Sequence, residues 1–132
     1  MGRKRQEGIT TASRFRLKMF RVFSAGVPES LALEAANAVA EARAKGVGIY
    51  KTSRDEARAV LMRREVPSAL WGVYFAFTNE LVNKVQRKKE ATRDQIIAKW
   101  VNNGADPNVL NEIADEIGVD VKTTETKPAT KS

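Results

Sequence analysis

Residues 67–89, PSALWGVYFAFTNELVNKVQRKK, decide how this chain folds. Pro67 follows Val66 and sits where the first residue of a helix tolerates a missing N–H, so the segment predicts a long helix to about Lys89. At about 100° per residue, Leu70, Val73, Tyr74, Phe77, Leu81 and Val85 fall on one stripe, an ordinary core face. Trp71, Phe75 and Val82 form a second stripe turned by about 100°. Together the stripes cover roughly 200° of arc, about twice what a surface helix needs. Such a helix is either the centre of a monomeric bundle or part of a subunit interface, in which Trp71, Phe75 and Val82 are the interface residues. Lys84, Arg87, Lys88 and Lys89 crowd its C-terminal end. Cations there suit the helix dipole without any ligand, and a second phosphate contact is the other reading.

Outward from this segment the punctuation is helical. Upstream, Ser13 is an N-cap for a short helix to about Phe23, and Gly26 breaks it. Pro28 then opens an Ala-rich helix over 28–45, with Leu31, Ala35, Ala38, Val39 and Ala42 on one face and Gly46 as its stop. A loop over 46–52 leads to Ser53 and Glu56, a capping-box pair that starts a third helix ending near Glu65. Downstream, Thr92 with Gln95 is another capping box, for a helix ending near Asn103-Gly104. Asp106-Pro107 is a cap followed by a first-turn proline, for a last helix ending at Gly118. No strand pair and no internal repeat stands out. The expectation is an all-α protein: a basic arm and short helix over 1–24, a compact four-helix-bundle-like domain over 25–118, and a flexible polar tail over 119–132.

Composition narrows function. The 132 residues carry 23 Lys and Arg against 16 Asp and Glu, a net charge of +7, with no Cys and no His. That removes a cysteine nucleophile, a Ser-His triad, a thiolate or imidazole zinc site and a disulfide. The carboxylates Glu29, Glu34 and Glu41 lie on the Ala-rich helix with no site around them, and Gly46 and Gly48 lack the continuation of a phosphate loop. No catalytic constellation emerges, and neither a cofactor nor a metal is expected. The longest apolar region, Leu70 to Phe77, is far shorter than the ~20 residues that cross a bilayer. The amino terminus lacks the uninterrupted apolar stretch of a signal peptide.

The charge is unevenly placed. Residues 1–24 hold seven cations (Arg3, Lys4, Arg5, Arg14, Arg16, Lys18 and Arg21) against Glu7, a net +6. Residues 25–66 hold +1, residues 67–99 hold +3, and residues 100–132 hold −3. Arg14, Lys18 and Arg21 fall within about 60° on the first helix, with Phe15, Leu17, Met19, Phe20, Val22 and Phe23 over most of the rest. A basic stripe on a greasy helix suits a phosphate backbone; it also suits a lipid surface, or a few solvated cations. The separate Arg3-Lys4-Arg5 cluster favours phosphate. Arg54, Arg58, Arg63 and Arg64 read as local solvated pairs with Asp55, Glu56 and Glu65. The last two helices have helix-turn-helix spacing, but the second carries Glu112, Asp115 and Glu116 and no cation, so phosphates would repel it. Leu110, Ile113, Ala114 and Ile117 make it a packing helix.

The order of parts resembles a known family. A basic arm, then SRFRLKMFRVFSAGVP (13–28), a helical body and a closing NNGADPNVLNEIADEIG (102–118) look like the major capsid proteins of the rod-shaped and filamentous double-stranded DNA viruses of hyperthermophilic archaea, the rudivirus and lipothrixvirus type. The resemblance runs over about residues 10–118 and is sharpest at Asn103, Ala105, Pro107, Val109 and Leu110. It does not extend to Arg87-Lys88-Lys89-Glu90. It implies a virion coat protein that wraps double-stranded DNA in the A form through its arm and first helices. It also implies helical assembly from copies of itself or a paralogous subunit, with or without a surrounding lipid envelope. By position, the DNA-binding residues would be Arg3, Lys4, Arg5, Arg14, Arg16, Lys18 and Arg21. A coat must bind every stretch of genome, so it should contact phosphates and ignore base edges. The alternative is a cellular chromatin or architectural DNA-binding protein using the same charges.

Overall fold

The computed structural model describes residues 14–23, 26–46 and 50–119. The architecture is all-α, with six α-helices and no strand among the described residues. They are α1 (14–23), α2 (Glu29–Ala44), α3 (Lys51–Arg63), α4 (Trp71–Leu81), α5 (Arg93–Asn102) and α6 (Pro107–Ile117). A 3-10 turn, Ser68–Leu70, leads into α4, and a π-helical stretch, Val82–Arg87, continues it.

Helix α4 is the centre of the bundle, packed against α2, α3, α5 and α6. Phe77 and Trp100 meet edge to face, with ring centroids 5.8 Å apart, the arrangement that aromatic quadrupoles favour. Around them Leu31, Leu61, Leu81, Leu110 and Ile113 are fully buried. On α2 the buried positions are mostly alanines (Ala32, Ala35, Ala36 and Ala38), whose small side chains let its backbone lie close to α4. The wide apolar arc of α4 thus has neighbours from its own chain. Val82 is only 4% exposed within the bundle, while Trp71 and Phe75 remain half-buried. Trp71 donates its indole N–H to Val66 O at 2.8 Å and meets Phe75 edge to face.

Several caps lie where the residue pattern puts them. The Gln95 N–H donates to Thr92 Oγ1 at 3.1 Å, and the Thr92 N–H donates to Gln95 Oε1 at 2.9 Å. Asp106 Oδ1 accepts from the Asn108 N–H at 2.9 Å, with Pro107 opening α6. Gly118, at φ 86°, closes it.

Other boundaries differ. Pro28 and Pro67 are the extended residues just before their helices (ψ 144° and 139°), one position earlier than first-turn prolines. Helix α3 begins at Lys51 and does not use the Ser53–Glu56 box, because Tyr50 packs against the core and anchors the chain one turn sooner. The helix from Pro67 opens as a 3-10 turn and ends at Arg87, two residues short of Lys89, which is left-handed at φ 56°. Val119 does not belong to a polar tail, for it is fully buried. Its N–H donates to Ala114 O at 3.2 Å and that of Gly118 to Asp115 O at 3.2 Å, a Schellman closure whose last residue packs on the core. The expected Ser13 cap, the residues of the arm before Arg14 and residues 120–132 lie outside the described residues.

Candidate nucleic-acid interface

Helix α1 separates its two chemistries by face. Phe15, Met19 and Phe23 turn inward and, with Val39, Ala42, Gly72, Phe75 and Ala76, line a groove of about 590 Å³ between α1, α2 and α4. Gly72 matters to this seat, since a Cβ there would lie 2.8 Å from a ring carbon of Phe23. At the other end of α1, the Arg43 guanidinium from α2 stands 4.9 Å from the centroid of the Phe15 ring, a cation–π contact. Phe75, expected on an interface stripe, helps to line this groove. Phe20 is half-buried, whereas Leu17 and Val22 are exposed.

Arg14, Lys18 and Arg21 lie on the opposite arc of α1, while Arg16 lies on the side that faces α2. Arg14, Arg16, Lys18 and Arg21 are all exposed. Arg14, Arg16 and Lys18 form no ion pair among the described residues. Arg16 borders a shallow furrow shared with Leu17, Phe20, Glu29, Leu33 and Asn37. Arg3, Lys4 and Arg5 are outside the described residues.

Elsewhere many cations hold the bundle together. Glu80, 6% exposed, accepts from the Trp100 indole N–H at 2.7 Å through Oε1. Its Oε2 meets Lys99 Nζ at 2.6 Å and Lys84 Nζ at 3.1 Å. Lys99 also reaches Glu34 at 3.0 Å and Lys84 reaches Glu41 at 3.3 Å, which joins α2, α4 and α5. Burial alone would push both ammonium groups down, but hydrogen bonds and charges from these carboxylates outweigh it, and both sit above the ordinary lysine value. For Glu41 likewise, burial pushes up and the bonds to Lys45 and Lys84 bring the net shift down. Lys84 is therefore committed inside the fold. Arg87 stacks on Tyr50 and donates to its hydroxyl at 2.9 Å.

Arg63 and Arg64 do not form the expected local pairs. Arg63 reaches Glu112 at 2.6 Å and Glu116 at 3.4 Å on α6, and Arg64 also pairs with Glu112. These hydrogen bonds hold the Glu112 carboxyl below its usual range. Arg93 meets Asp115 at 2.8 Å. The acidic face of α6 is thus answered by arginines of its own chain, in keeping with a packing helix. One signal for the Glu80 network is present in the sequence: Glu80 and Lys84 are spaced i, i+4 on the helix with the widest apolar arc. The α3–α6 pairs carry no local signal.

Among the described residues no cluster of acidic side chains could hold a metal ion, and no helix is long and apolar enough to cross a membrane. Comparison with family models, with curated proteins and with solved structures finds no match to this chain.

Proposed function

We propose that this protein is a non-enzymatic coat protein. It binds double-stranded DNA without regard to sequence and assembles, with copies of itself or a paralogous subunit, into a helical filament of the rudivirus and lipothrixvirus type. The observation that carries this reading is the division of labour in α1. Its apolar side is seated on the bundle, while Arg14, Arg16 and Lys18 stand exposed, joined covalently to the Arg3-Lys4-Arg5 cluster. Cations arranged in this way neutralise phosphates and release counterions, a contact blind to base identity.

The test replaces Arg14, Arg16 and Lys18 together by Gln in the full chain and measures affinity for a mixed-sequence duplex against salt. The salt slope should fall by about 0.9 for each phosphate that is no longer neutralised, with the helical circular-dichroism signal retained. An unchanged slope removes α1 from the interface. Electron microscopy of protein mixed with DNA then separates a coat, which gives continuous regular filaments, from an architectural protein, which gives beads or bends.

A further inference from the structure

The end of the bundle where α1 begins gathers cations from three other elements. The Arg43–Phe15 contact places the last turn of α2 beside the start of α1. The Lys84–Glu41 bridge places the π-helical stretch beside α2, and the Arg87–Tyr50 contact places its end beside the start of α3. Arg43, Arg54, Lys88 and Lys89 are thereby brought to one end. The carboxylates Glu41 and Asp55 at this end already face Lys84, Lys45 and Lys51. Arg54, Lys88 and Lys89 form no ion pair among the described residues, and neither does the exposed Glu90 that follows Lys89.

Local stability explains only some of these positions. Lys51 and Arg54 occupy the first turn of α3, which has no acidic residue, although the dipole there disfavours positive charge. Lys88 is the C-cap after Arg87 and Lys89 follows it, positions where the dipole favours a cation. Lys89 adopts φ 56°, a conformation in which glycine is the residue without strain. The half-buried Arg54 thus stands against the dipole of α3 without a carboxylate partner among the described residues, and the exposed Lys89 keeps a charged side chain where glycine would fit the backbone; a polyanion would offset the first and use the second.

We propose that this end of the bundle is a second phosphate-contacting surface for the same duplex, with Arg43, Arg54, Lys88 and Lys89 receiving the DNA backbone where the arm joins α1. The inference rests on the DNA-binding reading above and extends it from the arm to the body of the protein.

The experiment uses the full chain, a short mixed-sequence duplex, and phosphatidylserine vesicles as a second probe. Lys88→Ala combined with Lys89→Gly, and separately Arg54→Ala, should weaken duplex binding about five- to tenfold for each cation that met a phosphate, at ~0.1 M salt, and lower the salt slope by about 0.9 for each. Lys89→Gly removes a strained φ, so the melting temperature of the double variant should be no lower than that of the unsubstituted chain. If both variants bind with the original affinity and slope while the α1 variant loses affinity, the bundle end does not touch DNA and the DNA reading stands. If the unsubstituted chain ignores the duplex, or binds only the vesicles, both readings fall.

Discussion

The indole N–H of Trp100 donates to Glu80 Oε1 at 2.7 Å in the middle of the bundle, and the other oxygen of that carboxylate holds Lys99 and Lys84. One side chain thus ties α4 to α5 and, through the lysines, to Glu34 and Glu41 of α2. Glu80→Ala would leave a buried N–H and two ammonium groups without their shared acceptor. We expect a loss of about 2–4 kcal/mol in urea unfolding, and a smaller loss for Glu80→Gln, which keeps an acceptor for Trp100. A loss for Glu80→Ala within experimental error of zero would show the network to be ornamental.

The same network sets the response to alkali. Lys84 and Lys99 bind their protons more tightly in the folded chain than in the unfolded one. Their contribution is therefore complete below the unfolded value of about 10.4 and declines as pH rises through the higher folded values. Burial also pushes the Tyr74 phenol up, which weakens the fold in the same window. The informative measurement is the difference between chains: the drop in urea midpoint above about pH 10 should be smaller for Glu80→Gln than for the unsubstituted protein. Equal drops would mean that Glu80 does not govern the two lysines.

Glu65 follows α3 at φ 55°, left-handed and exposed. A side chain in that region costs roughly 1–2 kcal/mol, partly offset by the extra freedom that glycine has when unfolded. Glu65→Gly should stabilise the protein by about 0.5–1 kcal/mol, read as a rise in melting temperature. A fall would show that the carboxylate makes a contribution greater than its backbone strain.

At Gly72 two effects oppose each other. Alanine favours a helix by about 1 kcal/mol over glycine, yet its Cβ would lie 2.8 Å from the Phe23 ring. Gly72→Ala should strengthen α4 and push the C-terminal end of α1 from its seat. Amide hydrogen exchange should quicken over residues 14–23 and stay unchanged in α5 and α6. Unaltered exchange in α1 would mean that the ring turns aside without loss.

The residues alone disclose what short-range chemistry decides. The Thr92–Gln95 box, the Asp106-Pro107 start and the Gly118 stop each depend on side chains within a few positions of the backbone they serve. The start of α3 is not legible, because the docking of Tyr50 on the core and on Arg87 overrides the Ser53–Glu56 pattern. Periodicity matches Arg63 and Arg64 to near neighbours, whereas tertiary packing gives them Glu112, about 50 residues away. The two faces of α1 are visible as periodicity. Which cations the bundle consumes is visible only in part: i, i+4 spacing offers Glu80 to Lys84, but Glu41 reaches it only through tertiary packing.

The π-helical stretch Val82–Arg87 holds one more residue per turn than the helix it continues, and the Lys88 N–H reaches back five positions to Asn83 O at 2.9 Å. Such a widened turn is what an α-helix becomes when a residue is inserted without moving its ends. The surplus residue is what turns Lys84 toward Glu41 and Arg87 toward Tyr50 from one continuous helix.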